Sequence, residues 1–125
     1  MHLTAWITLA ALGVYAWTGT NVARARGTYK IKAPSMDGPL PFQSVLRVQA
    51  NTLEQLPLML APLWLCAMFL GDMWAAAGGA LWCVGRILYA LGYYKDPAKR
   101  EVGFIIGFIA SALLFLGTAV GLILH

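Results

Sequence analysis

Long stretches without a charged residue restrict most strongly how this chain can fold. No Asp, Glu, Lys or Arg occurs in residues 1–23, 55–71 or 102–125. A helix needs about 20 mostly apolar residues to cross the hydrocarbon core of a bilayer, and the first and last stretches each meet this requirement alone. The sequence therefore predicts an integral, multi-pass membrane protein.

The composition excludes most other classes of protein. Charged residues make up 11% of the chain and apolar residues 60%, whereas soluble domains have about 25% and 45–50%. These values exclude a disordered chain and a disulfide-stapled secreted module. The net charge of +4 does not indicate a nucleic-acid partner, because the basic residues flank apolar runs instead of forming one stripe. The apolar start lacks the basic segment of a secretory signal, so we expect it to be retained as the first span.

Apolar runs separated by helix breakers predict a single domain, residues 1–125, with four helices. The first connection contains three prolines and two glycines, which break any helix. The second is the short turn Gly71-Asp72, and the third is compact and charged. We predict an all-α bundle of four transmembrane helices that cover approximately residues 2–26, 42–70, 74–94 and 101–124.

The basic residues predict the orientation of this bundle. Four spans place the first and third connections on one side, and both termini with the second connection on the other. Seven of the nine basic residues lie in or beside the first and third connections: Arg24, Arg26, Lys30, Lys32, Lys95, Lys99 and Arg100. Positive charge marks the cytoplasmic side. We therefore predict that loops 1 and 3 are cytoplasmic and that both termini face away from the cytoplasm.

Cysteine and histidine indicate no metal site. Cys66 and Cys83 fall inside predicted spans at different depths, and we expect two buried thiols. The two histidines lie at the chain ends, and no His or Cys cluster has the spacing of zinc ligands.

Helix 2 carries polar residues where lipid-facing residues would be expected. Arg47, Asn51 and Glu54 have the spacing i, i+4, i+7 and share one helix face. Glu54 lies about 18 Å along the helix. A charge at such depth costs at least a few kcal/mol unless it is paired or hydrated. This face must therefore contact protein or a water-filled cleft.

Helix 3 has a similar stripe, Arg86, Tyr89 and Tyr93, which runs towards loop 3 and Arg100. Two interpretations follow from the two stripes. One is a buried ion pair between Glu54 and either Arg47 or Arg86 that holds the bundle together. The other is a functional site, because ionisable residues inside a membrane usually mark one.

The residue types in the two stripes suit one kind of ligand. Arginines bind carboxylates with two parallel hydrogen bonds, Glu54 can bind an ammonium group, and amide and phenol groups fix orientation. We therefore expect a small zwitterion with more than one carboxylate. The set contains no Ser-His-Asp triad and no phosphate loop, so the ligand itself must bring any nucleophile. An arginine favours the ionised form of a nearby thiol.

Two segments resemble the signature of the MAPEG family, the membrane-associated proteins in eicosanoid and glutathione metabolism. One is residues 42–57, FQSVLRVQANTLEQLP, and the other is residues 86–93, RILYALGY, followed by Arg100. The resemblance covers essentially the whole chain. It is closest to the branch with leukotriene C4 synthase and the microsomal glutathione transferases.

The resemblance implies a homotrimer of four-helix subunits that binds glutathione between neighbouring protomers near the cytoplasmic face. It implies that a lipophilic electrophile approaches from the bilayer and that no metal takes part. Arg100 matches the arginine that supports the glutathione thiolate. The glutathione-binding positions of the family fall on Arg26, Arg47, Gln49, Asn51, Glu54, Tyr89 and Tyr93.

Two departures shape the expected activity. Gln55 stands where close relatives often have Tyr, so one ligand contact differs. Gly27 stands where the leukotriene synthase has a second arginine, which disfavours handling of its particular lipid epoxide. The resemblance thus implies a membrane glutathione S-transferase in detoxification, with conjugation or peroxide reduction both open. The short chain suggests a bacterial member in the cytoplasmic membrane.

Two alternatives to an enzyme remain. One is a non-catalytic glutathione- or lipid-binding protein of the same family. The other is a small proton-coupled exporter that uses Glu54. Arg47 on the same face favours the ionised carboxylate, which is a poor arrangement for a proton carrier. Glutathione-dependent turnover would eliminate the first alternative.

Overall fold

The computed structural model describes all 125 residues as four long helices without a β-strand. A 3-10 turn, Pro97–Arg100, connects the third helix to the fourth. The predicted all-α four-helix bundle is therefore confirmed, and the helix ends lie within three residues of the predicted ones. The helices are α1 His2–Tyr29, α2 Leu40–Phe69, α3 Asp72–Lys95 and α4 Glu101–Leu124.

The largest difference from the predicted ends is at α1, which continues three residues beyond residue 26. A glycine inside a helix costs only about 1 kcal/mol relative to alanine, so Gly27 alone does not stop it. The helix ends at Tyr29, and the next residue, Lys30, adopts the left-handed conformation (φ 57°, ψ 44°). A left-handed residue is a common helix terminator because it turns the chain away from the axis.

Three helices, α2, α3 and α4, are long and apolar enough to cross a membrane. α1 is 28 residues long, but its threonines, tryptophans and tyrosines make it less apolar, so its crossing stays a prediction. Large apolar side chains point outward along the bundle, among them Trp6, Phe108 and Ile123. Such extensive exposed apolar surface suits contact with lipid or other subunits.

All four helices contribute to the core, which centres on the fully buried Trp82 of α3. Met59 and Leu63 of α2, Ala11 of α1 and Leu114 of α4 belong to the same cluster. Cys66 and Cys83 are free and buried in it, as predicted.

Asp72 ties the start of α1 to the α2–α3 turn. Its carboxylate accepts hydrogen bonds from the backbone N–H of Leu3 (3.1 Å), the backbone N–H of Thr4 (2.9 Å) and the Thr4 hydroxyl (2.6 Å). The first residues of a helix carry unsatisfied N–H groups and the positive end of the helix dipole. Since α1 has no side-chain cap of its own, Asp72 supplies one from another helix.

Small residues let α3 and α4 approach until their backbones touch. A Cβ atom added to Gly85 would lie 2.6 Å from the backbone nitrogen of Gly107, and one added to Gly103 would overlap the backbone nitrogen of Tyr89. Small residues allow such close helix approach in membranes. The contact places the last two turns of α3 directly beside the start of α4.

We predict that Gly103→Ala destabilises the protein by about 1–3 kcal/mol, because the added methyl group must push α3 away from α4. The matched control is Gly13→Ala, where an added Cβ meets no atom within 4 Å. Thermal unfolding in detergent measures both variants. Equal stability of the two variants would contradict the glycine contact.

Candidate functional site

A cleft of about 590 Å³ opens on the bundle near the third connection. Binding sites for small molecules commonly have volumes of about 300–1,000 Å³. Helix α2 lines one side, α3 the back, and the 3-10 turn with the first turn of α4 the other side. The lining residues are Arg47, Ala50, Asn51, Glu54, Tyr89, Tyr93, Arg100, Glu101, Phe104 and Ile105.

Six of the eight residues that the sequence singled out lie in this cleft: Arg47, Asn51, Glu54, Tyr89, Tyr93 and Arg100. Helical spacing brings the α2 and α3 residues to single faces, and the α3–α4 contact adds Arg100. Tyr89 is buried, whereas Arg47 and Glu54 remain exposed at the cleft. The structure thus gathers these side chains, and their ligand-binding roles stay a prediction.

Arg26 and Gln49, the other two, lie outside the cleft. Arg26 donates from Nη1 to the carbonyl oxygen of Ser35 (2.8 Å). Its guanidinium carbon lies 5.4 Å from the centre of the Phe42 ring. Gln49 faces α1, where its Nε2 would lie 3.3 Å from a Cβ atom added to Gly19. Both side chains therefore belong to the α1–α2 side of the bundle.

Arg86 lies behind the cleft with 2% of its surface exposed. Its Nη2 donates to Asn51 Oδ1 (2.9 Å) and to Thr52 Oγ1 (3.0 Å). Its guanidinium carbon lies 4.1 Å from the centre of the Tyr89 ring. The buried ion pair with Glu54, one of the two sequence interpretations, is therefore replaced by hydrogen bonds to neutral oxygens. The Glu54 carboxylate stays available to the cleft.

A backbone carbonyl and one aromatic ring contact Arg100 at the mouth of the cleft. Its Nη1 donates to the carbonyl oxygen of Pro97 (2.7 Å), and its guanidinium carbon lies 5.6 Å from the centre of the Tyr93 ring. Tyr93 packs edge-on against Tyr89 at 5.6 Å between ring centres. A guanidinium over an aromatic face is stabilised by about 0.5–1 kcal/mol at an exposed site. These contacts leave the other nitrogens of Arg100 free for a ligand.

Helix α4 supplies Glu101, Phe104 and Ile105 to the cleft, a contribution that was not predicted from the sequence. Their spacing, i, i+3 and i+4, marks one helix face directly after Arg100, and this signal was available in the sequence. It was masked because a glutamate in the first turn of a helix is ordinarily a partner of the helix dipole. With Glu101, the cleft holds two guanidinium and two carboxylate groups.

The polar groups of the cleft can recognise both signs of charge in one small ligand. Guanidinium groups bind carboxylates or stabilise an anionic sulfur, and a carboxylate binds an ammonium group. Phe104 and Ile105 are 38% and 53% exposed, so an apolar wall adjoins these charges. The site is therefore suited to joining a charged molecule to an apolar one.

The sequence model of the MAPEG family matches residues 4–120. The chain belongs to the MAPEG family. Together with three helices able to span a membrane, this membership identifies a membrane protein and confirms the resemblance of the two cleft segments.

The chain is similar in sequence to several proteins, three of which are compared by identity and coverage. It is 44% identical to Uncharacterized protein sll1147 of Synechocystis sp. over 95% of this chain and 87% of that protein. It is 37% identical to Microsomal glutathione S-transferase 2 of Mus musculus over 72% of this chain and 59% of that protein. It is 32% identical to Leukotriene C4 synthase of Rattus norvegicus over 98% of this chain and 82% of that protein.

We predict that the cleft is filled with water, whereas the part of the same α2 face that lies three turns further along the helix contacts lipid. A cysteine at Ala50, which lines the cleft, should react with a charged, water-soluble thiol reagent in intact membranes. A cysteine at Ala61, exposed three turns further along in an apolar groove, should react poorly, because a thiolate does not form in lipid. The wild-type protein, with two buried cysteines, gives the background. Equal labelling at both positions would refute a hydrated cleft.

Proposed function

We propose that this protein is a membrane-embedded glutathione S-transferase, which holds glutathione in the cleft as a thiolate for attack on lipophilic electrophiles. The observation that supports the proposal is that Arg47, Glu54 and Arg100 line the same cleft. Glutathione offers two carboxylates, one ammonium group and one thiol, so it presents a complementary partner to each of these side chains.

Six cleft residues bind or activate glutathione in this proposal. Arg47 binds one carboxylate of glutathione through paired hydrogen bonds, and Glu54 binds its ammonium group. Asn51 and the two tyrosines orient the peptide. Arg100 stabilises the sulfur as an anion, since a fixed cation favours the ionised thiol. The proton of the thiol leaves to water at the open mouth of the cleft.

The thiolate then attacks the electrophile. In conjugation, the sulfur forms a thioether bond and the electrophile releases its leaving group or opens its ring. In peroxide reduction, the sulfur bonds to one oxygen of the O–O bond, which breaks to release an alcohol and leave a sulfenic acid on the sulfur. A second glutathione then displaces that oxygen as water and forms the disulfide. Phe104 and Ile105 offer the lipophilic substrate an apolar wall beside the thiolate.

A homotrimer is part of the proposal. Arg47 and Glu54 are exposed on a single subunit, and charges facing lipid cost at least a few kcal/mol each. A neighbouring subunit that packs its α1–α2 side against the cleft would shield them. It would also bring its own Arg26 and Gln49 to the bound peptide, where Arg26 would take the second carboxylate. A three-fold ring repeats this contact without open ends.

We place the mouth of the cleft on the cytoplasmic side, because the third connection beside it carries Lys95, Lys99 and Arg100 and positive charge marks that side. Glutathione would then enter from the cytoplasm and the electrophile from the bilayer. The 44% identity to a protein of Synechocystis sp. supports a bacterial source, and the proposed location is therefore the cytoplasmic membrane of a bacterial cell.

We expect Arg100→Ala to lower kcat/KM for conjugation by about 100- to 1,000-fold, which is the usual loss when one stabilising donor is removed from a developing anion. Titration with glutathione, followed by thiolate absorbance in the ultraviolet, should give a saturating signal in the wild type and none in the variant.

The control for this experiment is Lys99→Ala, which removes the same charge from the neighbouring residue without touching the cleft lining. It should retain the thiolate signal. An unchanged signal in Arg100→Ala would remove the role assigned to Arg100. Binding without thiolate formation in the wild type would favour a non-catalytic glutathione-binding protein.

Mixed trimers test the shared site. One subunit carries Arg100→Ala and the other carries Arg26→Ala with Gln49→Ala, each with a different affinity tag, so that two successive purifications retain mixed trimers only. Each parent trimer should be nearly inactive. A mixed trimer of either composition contains one intact junction and should recover about one third of wild-type activity. Activity no higher than that of the parents would place each complete site within one subunit.

A further inference from the structure

Arg86 is the only charged residue among the buried side chains of the protein. Its Nη2 donates to the neutral oxygens of Asn51 and Thr52, and its buried Nε has no hydrogen-bond partner. A buried guanidinium without an anionic partner is costly, and an apolar side chain at such a place is often more stabilising. Stability alone therefore does not explain this arginine.

The contacts of Arg86 lead to the cleft. Asn51 and Tyr89, which it touches on two sides, both line the cleft. Thr52, its third partner, is fully buried and faces the interior of the bundle. Arg86 thus connects the packed interior to two residues that a ligand would meet.

The bond to Asn51 fixes which end of its amide faces a ligand. A guanidinium donates hydrogen bonds and accepts none, so the Asn51 atom beside Arg86 has to be the oxygen Oδ1. The amide is otherwise free to turn over, which exchanges its oxygen and nitrogen. With Oδ1 held by Arg86, the two N–H groups of Nδ2 are left for the cleft.

We propose that Arg86 is a positioning residue of this site, which holds Asn51 so that Nδ2 donates to a carboxylate or peptide carbonyl oxygen of the ligand. The contact between the Arg86 guanidinium and the Tyr89 ring likewise fixes the orientation of that ring, which forms the neighbouring part of the cleft wall. This inference rests on the proposed glutathione site and assigns one of its contacts. It predicts that an acceptor at position 51 weakens glutathione binding even where the fold is intact.

The substitution Asn51→Asp separates an effect on glutathione binding from an effect on the stability of the fold. Aspartate gives Arg86 an anionic partner of the same shape, so the melting temperature should stay the same or rise. The cleft then receives an oxygen instead of N–H groups, and the Kd for glutathione should rise by about tenfold or more, the loss expected for one hydrogen bond to a charged group. Isothermal titration of the detergent-purified protein measures the Kd.

Thr52→Val is the matched control. It removes the other acceptor of the same Nη2 but does not reach the cleft. We expect a lower melting temperature and an unchanged Kd for glutathione. If Arg86 had only a packing role, the Kd of both variants would follow their stability, and that result would overturn the proposal.

A double-mutant cycle separates positioning from the added charge of aspartate. Arg86→Met should raise the Kd by about tenfold in the wild type but by much less in Asn51→Ala, because the side chain it positions is already absent. Equal losses in both backgrounds would overturn the proposal. Absence of glutathione binding by the wild type would overturn the proposed function, whereas normal binding by the wild type and by Asn51→Asp would overturn this inference alone.

Discussion

The backbone contact between α3 and α4 determines how the α3 and α4 sides of the cleft are placed relative to each other. Gly85 and Gly103 allow the two helices to touch without intervening side chains. The contact places Tyr89 and Tyr93 beside the 3-10 turn, so the Tyr93 ring can lie against Arg100. A side chain at position 103 would separate the aromatic wall from the arginine at the mouth of the cleft.

The apolar surroundings govern the second feature of the site, the placement of its charges. Arg86 is buried against neutral oxygens, whereas Arg47 and Glu54 stay exposed along α2. In a membrane, a buried or lipid-facing charge costs free energy unless protein, ligand or water compensates it. A zwitterionic ligand and a neighbouring subunit would together compensate the charges of Arg47 and Glu54. The glutathione proposal and the trimer proposal therefore support each other.

Helical spacing made much of this site predictable. The sequence placed Arg47, Asn51 and Glu54 on one face of α2, and the structure has them together in the cleft. It left open whether Glu54 pairs with Arg86, because spacing along one helix says nothing about the partner across an interface. The rotation of α3 settles this point by directing Arg86 to Asn51 and Thr52. The α4 residues, in contrast, share one helix face in the sequence and were missed because a glutamate in the first turn of a helix is ordinarily a partner of the helix dipole.

The sequence by itself determined the four helices and the polar faces of α2 and α3, because uncharged runs and helical periodicity are local properties of the chain. The extension of α1 to Tyr29 and the cap that Asp72 provides required the folded chain. Only the tertiary structure decided that Arg26 and Gln49 lie apart from the cleft and that Arg86 holds Asn51. Those outcomes depend on how helices rotate and approach one another, which packing between distant residues sets and no single helix encodes.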